Sequence, residues 1–259
     1  MSTNDRKALL SSVRTSLNRR GLVLEPADAP GRYRVTGPGV KALIISPDNV
    51  FAEVLRGGDP GLIEEWLDAA LSAPAALPPY LVARSGLRMA LEPASTDFGA
   101  SIHAPLTPAL AEVLCWTDPE ERRITWITGA TLDLWQARAD DVLDAARAGL
   151  DRVLRSARLE VQQVRGMPLG MLDVDTVFKA SLIRAPSLRA TVEAELGWPV
   201  CAVAPCRDFL YLFPESARDA MIPLLAAVVT REFESSGYAL STEVLRVGDD
   251  GVLALGSYG

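Results

Sequence analysis

The sequence predicts an α+β fold of two related lobes, each a mostly antiparallel sheet covered by helices. Three observations point there. Apolar residues recur with helical period in some segments and alternate in strand fashion in others. Neighbouring strand segments are joined by short turns rich in Gly, Pro or Asp, the signature of hairpins. The order helix, two strands, short helix, second helix, strands occurs twice in 259 residues, a length that suits one large domain or two small ones of ~100–200 residues.

The first helix is expected over Asn4–Arg19, with Leu9, Leu10, Val13 and Leu17 on one face and Gly21 ending it. Strands follow at Arg32–Thr36 and Val40–Ser46 around the turn Gly37-Pro38-Gly39. Ser46-Pro47 opens a short helix to Leu55, since Ser accepts from the free N–H groups of a first turn and Pro has none to leave unpaired. Asp59-Pro60 repeats the signal for a helix carrying Leu62, Ile63, Trp66, Leu67, Ala70 and Leu71. Ser72–Pro79 reads as a connector. Strands are expected at Leu87–Leu91 and Ala100–His103. Glu112–Thr117 and Arg123–Thr128 form a hairpin about Asp118–Arg122, on which Trp116 and Trp126 can pair.

Asp140–Arg155 is the clearest helix. It precedes strands at Leu159–Arg165 and Leu169–Leu172 and short helices at Thr176–Ile183 and Ser187–Leu196. Val200–Ala204 and Phe209–Phe213 read as a buried hairpin pair. A long helix to Phe233 and the strands Ala239–Val247 and Val252–Leu255 end the chain. The short helices of the two halves share the pattern Asp-x-Val-Phe-x-x-x-Leu, at Asp48–Leu55 and Asp175–Leu182. That match and the repeated order of elements divide the chain into lobes of residues 1–135 and 136–259, the second a possible duplication of the first.

The formal net charge is -7. An acidic surface repels phosphate backbones and anionic lipid heads, so neither nucleic acid nor membrane is expected as a partner. The arginines at 14, 19 and 20 and at 152, 155 and 158 fit the dipoles of helix C-termini. Lysine occurs only at Lys7, Lys41 and Lys179, and with abundant Ala, Leu, Gly and Pro this suggests a GC-rich bacterial genome. Cys115, Cys201 and Cys206 are odd in number, fit no zinc or redox spacing and lie in apolar runs, which reads as buried free thiols. The N-terminus lacks an apolar signal-peptide core, and no run approaches the ~18–20 apolar residues of a membrane span. A cytoplasmic location is expected.

Catalytic signatures are missing. There is no G-x-S-x-G elbow, no Walker loop and no dinucleotide fingerprint. The single histidine, His103, excludes sites that need two imidazoles. No cofactor, metal or catalytic residue is assigned. The candidate binding residues are Asp173, Asp175, Arg207 and Asp208. Asp173 and Asp175 fall on one side of an extended segment before a helix. They can cap that helix, or hold a divalent cation if further oxygens converge. Arg207 and Asp208 occupy the turn Pro205-Cys206-Arg207-Asp208 between apolar strands. There they can stabilise the turn, pair with Asp173 or Asp175, or anchor a ligand.

The second half resembles the DUF1444 (YtpQ-like) family of bacterial proteins. The resemblance rests on Leu172-Asp173-Val174-Asp175 entering a short helix, on Val203-Ala204-Pro205-Cys206-Arg207-Asp208-Phe209-Leu210, and on Tyr238-Ala239-Leu240-Ser241. It spans residues 110–255 and departs where Leu172 and Val174 replace the family's glycine-tyrosine pair. It implies no activity and carries over no catalytic residue. Three functions stay open: a non-enzymatic protein-binding module of adaptor, chaperone-like or immunity type; an enzyme with a site assembled around Asp173, Asp175, Arg207 and Asp208; and a self-associating protein that dimerises through a sheet edge.

Overall fold

The computed structural model describes residues 3–27, 31–38, 40–55, 57–72, 77–121 and 123–258. Its secondary structure is α+β in three antiparallel sheets. Two compact units divide it: residues 1–77 with Ser235–Tyr238, and 78–234 with 239–259. Gly39, Arg122 and residues 73–76 of the expected turns and connector lie outside the described residues.

In the first unit, α1 (Thr3–Arg19) turns Val13 and Leu17 into the core, as its apolar stripe requires. Gly21 ends the helix at a φ of 72°, a left-handed conformation that costs glycine nothing. The sheet holds three strands rather than two. β1 (Val23–Pro26) pairs with β2 (Tyr33–Gly37), which pairs with β3 (Val40–Ile45). A Cβ on Gly37 would lie 2.7 Å from the Leu22 side chain, so glycine lets the hairpin close over the end of α1. α2 (Asp48–Leu55) and α3 (Leu62–Leu71) supply Val50, Phe51, Ile63 and Leu67 to the same core. Arg20 holds α3 through Glu64 at 2.7 Å and Asp68 at 2.8 Å. The side chain of Asp48, first residue of the shared pattern, lies outside the described residues.

The second unit opens with the single turn α4 (Tyr80–Ala83) and a 3-10 turn, Arg84–Gly86. β4 (Leu87–Pro93), β5 (His103–Pro105), β6 (Leu110–Thr117) and β7 (Ile124–Trp126) form one sheet around a central β6. The expected β6–β7 hairpin is present, but its tryptophans do not pair across it. Cys115 stands opposite Trp126 and Thr125 opposite Trp116, so the two indoles take opposite faces. Trp126 packs on Phe98 instead, with ring centroids 5.4 Å apart.

After α5 (Gly129–Trp135), helix α6 (Ala139–Ser156) lies against β4. Gly149 makes this approach possible, because a Cβ there would come within 2.1 Å of the Leu87 carbonyl oxygen. The line expected at 135–136 therefore falls inside this unit. α6 packs against β4 and β6, so this unit spans that line.

A six-stranded sheet completes the unit in the order β13-β12-β10-β11-β9-β8. β8 (Arg158–Val164) and β9 (Met167–Asp173) form a hairpin through Arg165 and Gly166, both at positive φ. α7 (Leu188–Leu196) follows, then β10 (Val200–Val203) and β11 (Tyr211–Pro214). α8 (Arg218–Ser235) packs Met221, Leu225 and Val229 on Cys201, Val203 and Phe213. β12 (Glu243–Gly248) and β13 (Gly251–Ser257) end the sheet. The short helix expected at Thr176–Ile183 is a turn followed by a 3-10 helix, Ala180–Arg184. Phe51 and Phe178 of the shared pattern are both fully buried, yet Phe51 lies in helix α2 and Phe178 in the turn before the 3-10 helix.

Among the described residues, no helix is long and apolar enough to cross a membrane. All three cysteines are free and buried.

Candidate functional site

The four residues singled out in the sequence take separate roles. Asp173 ends β9, directly opposite Arg158 in the β8–β9 register, and meets it at 3.9 Å on the surface. Asp175 is exposed and makes no hydrogen bond or ion pair among the described residues. Capping of the turn falls to Thr176, whose Oγ1 accepts from Phe178 N at 3.1 Å. A hydroxyl one residue on thus does the work expected of Asp175, because its short side chain reaches the amide two residues ahead.

Arg207 reaches back across the unit to β4, where it pairs with the fully buried carboxylate of Glu92. Its own carbonyl accepts from Ala180 N at 3.1 Å and holds the 3-10 helix to the Pro205–Asp208 turn. Asp208 is exposed at the same turn. Local desolvation raises its carboxyl above the ordinary aspartate range, ahead of opposing effects from Arg207 and Lys179. The Cys115 thiol is pushed up to about 12, chiefly by burial, and so stays protonated and a poor nucleophile. Among the described residues no three His, Cys, Asp or Glu side chains are grouped as a metal ion would need.

The structure presents a different concentration of charge. A cleft of about 580 Å³ opens where the end of α6, the start of β4, the β6–β7 turn and the connection after β9 meet. Arg88 and Arg152 line it with Glu120, Glu121, Asp175 and Thr176. The two guanidinium groups converge on one atom. Arg88 Nη1 donates to the Ser85 carbonyl at 2.8 Å and Arg152 Nη2 donates to the same oxygen at 3.0 Å. Arg88 Nη1 also donates to the Leu87 carbonyl at 2.9 Å, and Arg88 Nε is buried without a partner. Burial lowers the Arg88 pKa, Glu121 opposes that shift, and the neighbouring Arg152 charge adds to it.

Glu121 sits at a φ of 53° in the β6–β7 turn. Its Oε2 accepts from Thr176 Oγ1 at 2.7 Å and from Val177 N at 3.1 Å, so the acidic side of the cleft is fastened as well. The chain matches no family model, no curated protein and no solved structure.

Of the expected group, only Asp175 belongs to this cleft. Arg88 carries no signal in the sequence, since it stands inside the strand-like run Leu87–Leu91 with no motif around it. Arg152 is one of several cations near a helix end.

A second feature lies on α4 and α5. Leu81, Val82 and Leu134 are 85%, 64% and 79% exposed. The two helices are joined by the rings of Tyr80 and Trp135, 5.8 Å apart, and by Trp135 Nε1 donating to the Pro78 carbonyl at 3.0 Å.

Proposed function

We propose that this chain is a non-enzymatic binding module that holds a protein partner through the apolar surface of α4 and α5. The observation that carries this reading is the exposure of Leu81, Val82 and Leu134 around the Tyr80–Trp135 contact. Each buried square ångström of such surface is worth roughly 25 cal/mol. Exposed apolar side chains on two helices joined by an aromatic contact offer the material from which the centre of a protein interface is made. Asp133 within α5, and Arg84, Arg138 and Asp140 close in sequence to the two helices, are exposed and would form the polar rim. The partner is accordingly a protein that offers an apolar face. The reading includes a cytoplasmic location and kinship with the DUF1444 family.

The enzyme reading is weaker because Asp173 pairs with Arg158 and Arg207 with Glu92, and of the four residues only Asp175 lines the cleft. A second copy as partner has one observation in its favour. The sheet edge β13 carries no charged residue over Gly251–Ser257, with Leu253 and Leu255 exposed, whereas the opposite edge β8 carries Arg158 and Glu160.

A photo-crosslinking residue at Leu81 tests the proposal, with the same residue at exposed Gln163 as control. Crosslinks to one protein at Leu81, lost on Leu134→Glu and absent at Gln163, are expected. Equal crosslinking at both positions would overturn the proposal. Crosslinks between copies, together with a dimer in light scattering, would favour self-association.

A further inference from the structure

We infer that the cleft between α6, β4 and the β6–β7 turn is a binding site for a small zwitterion, a free amino acid or short peptide whose carboxylate meets Arg88 and Arg152 and whose ammonium group meets Asp175. The inference rests on different residues from the proposed partner surface and stands apart from it.

Two like charges drawn to one carbonyl oxygen repel each other, and an arginine pair that lines a cleft is positioned to take a carboxylate. The Ser85 carbonyl accepts from both guanidinium groups, within 3.0 Å of each. It accounts for one donor on Arg152, while Arg88 Nη1 is shared between it and the Leu87 carbonyl at 2.9 Å. Arg88 Nε remains buried and unpartnered beside them. The pair is also built rather than incidental. Gly149 admits Arg88 beneath α6, since a Cβ there would lie 2.8 Å from Arg88 Nη1.

The rest of the lining sets the ligand class. Two arginines face three carboxylates, Glu120, Glu121 and Asp175, so a simple anion would enter a cleft whose charge opposes it. A phosphate with two negative charges is disfavoured most. Glu121 is engaged by Thr176 and Val177, whereas Asp175 has no partner among the described residues. The cleft lining thus holds both a pair of cations and an unpaired carboxylate, a composition complementary to a carboxylate and an ammonium group on one molecule. The volume of about 580 Å³ lies within the range of roughly 300–1,000 Å³ typical of small-ligand pockets.

The test is an NMR titration of the whole chain that follows the Arg88 Nε–H signal, using the twenty free amino acids and diglycine as probes. Saturable shifts are expected for at least one probe, with N-acetylation or C-amidation of that probe abolishing them. Arg152→Gln and Asp175→Asn should each weaken binding at least tenfold. Arg147→Gln, on the exposed face of the same helix, should leave it unchanged. Far-UV circular dichroism checks that each variant is folded. Wild-type chain that gives no saturable shift with any probe overturns the inference, as does equal binding of the capped probes or of Arg152→Gln.

Discussion

Replacing Arg207 with alanine tests the internal architecture of the second unit most directly. The guanidinium joins the turn after β10 to Glu92 on β4, and the Glu92 side chain is fully buried. Without Arg207 a buried carboxylate loses its cation. Removing one partner of such a pair costs roughly 3–5 kcal/mol, mostly as the desolvation penalty of the charge left behind. Set against a total stability of roughly 5–15 kcal/mol, that is a large share. For a unit of this size it lowers Tm by about 6–20 °C, at about 2–4 °C per kcal/mol. Urea unfolding followed by tryptophan fluorescence is a suitable assay, since Trp116, Trp126, Trp135 and Trp198 all lie in this unit. The double variant Glu92→Met with Arg207→Met should recover most of the loss, because an apolar pair leaves no charge uncompensated. A loss below about 1 kcal/mol for Arg207→Ala, the scale of an exposed ion pair, would refute the reasoning. Amino-acid binding in the cleft should survive in whatever fraction stays folded, since Arg207 does not line it.

Three further substitutions probe local physics. Gly149→Ala places a Cβ 2.1 Å from the Leu87 carbonyl oxygen. Overpacking of about 1–3 kcal/mol should exceed the gain of about 1 kcal/mol in helix propensity, giving a net loss in urea unfolding. Gly129→Ala, with open space around its Cβ, should be neutral or slightly stabilising. Asp208→Asn should stabilise the chain at neutral pH. The raised carboxyl of Asp208 opposes ionisation in the folded state, so folding is favoured when it is protonated and that advantage is lost as pH rises through its folded pKa. The difference between variant and wild type should shrink as pH falls and vanish below the ordinary carboxylate range of about 4. A difference independent of pH would show that the turn, not the charge, decides.

Much of the fold is legible locally. α1 and α6 carry apolar stripes of helical period, and the β6–β7 and β8–β9 hairpins are framed by turn residues. β1 was not legible because only Leu24 of its four residues is buried, so alternation never develops. The segment after Asp175 carries the same pattern as α2, but Thr176 binds Glu121 and Phe178 N and shapes a turn before the 3-10 helix begins. The boundary between units was obscured for a related reason. β4 lies early in the chain, yet it pairs with β6 and is covered by α6, partners that pattern alone does not name.

The candidate site shows the same limit more sharply. In the sequence, Asp173, Asp175, Arg207 and Asp208 are charges beside apolar strands, and Arg207 and Asp208 can stabilise their own turn or pair with Asp173 or Asp175 across the lobe. In the fold, Arg207 answers a buried glutamate 115 positions away, and Asp173 answers the strand beside it. Arg88 and Arg152 are unremarkable in sequence. They become a pair only because a glycine lets α6 approach β4 and because a single carbonyl accepts from both. What marks that cleft is therefore not a motif but a meeting of charges, two guanidinium groups that both donate to the Ser85 carbonyl in a lining that also holds an aspartate with no partner among the described residues. Such a lining is complementary to a ligand carrying both charges, and the capped and uncapped probes separate that ligand from an anion that merely screens the arginines.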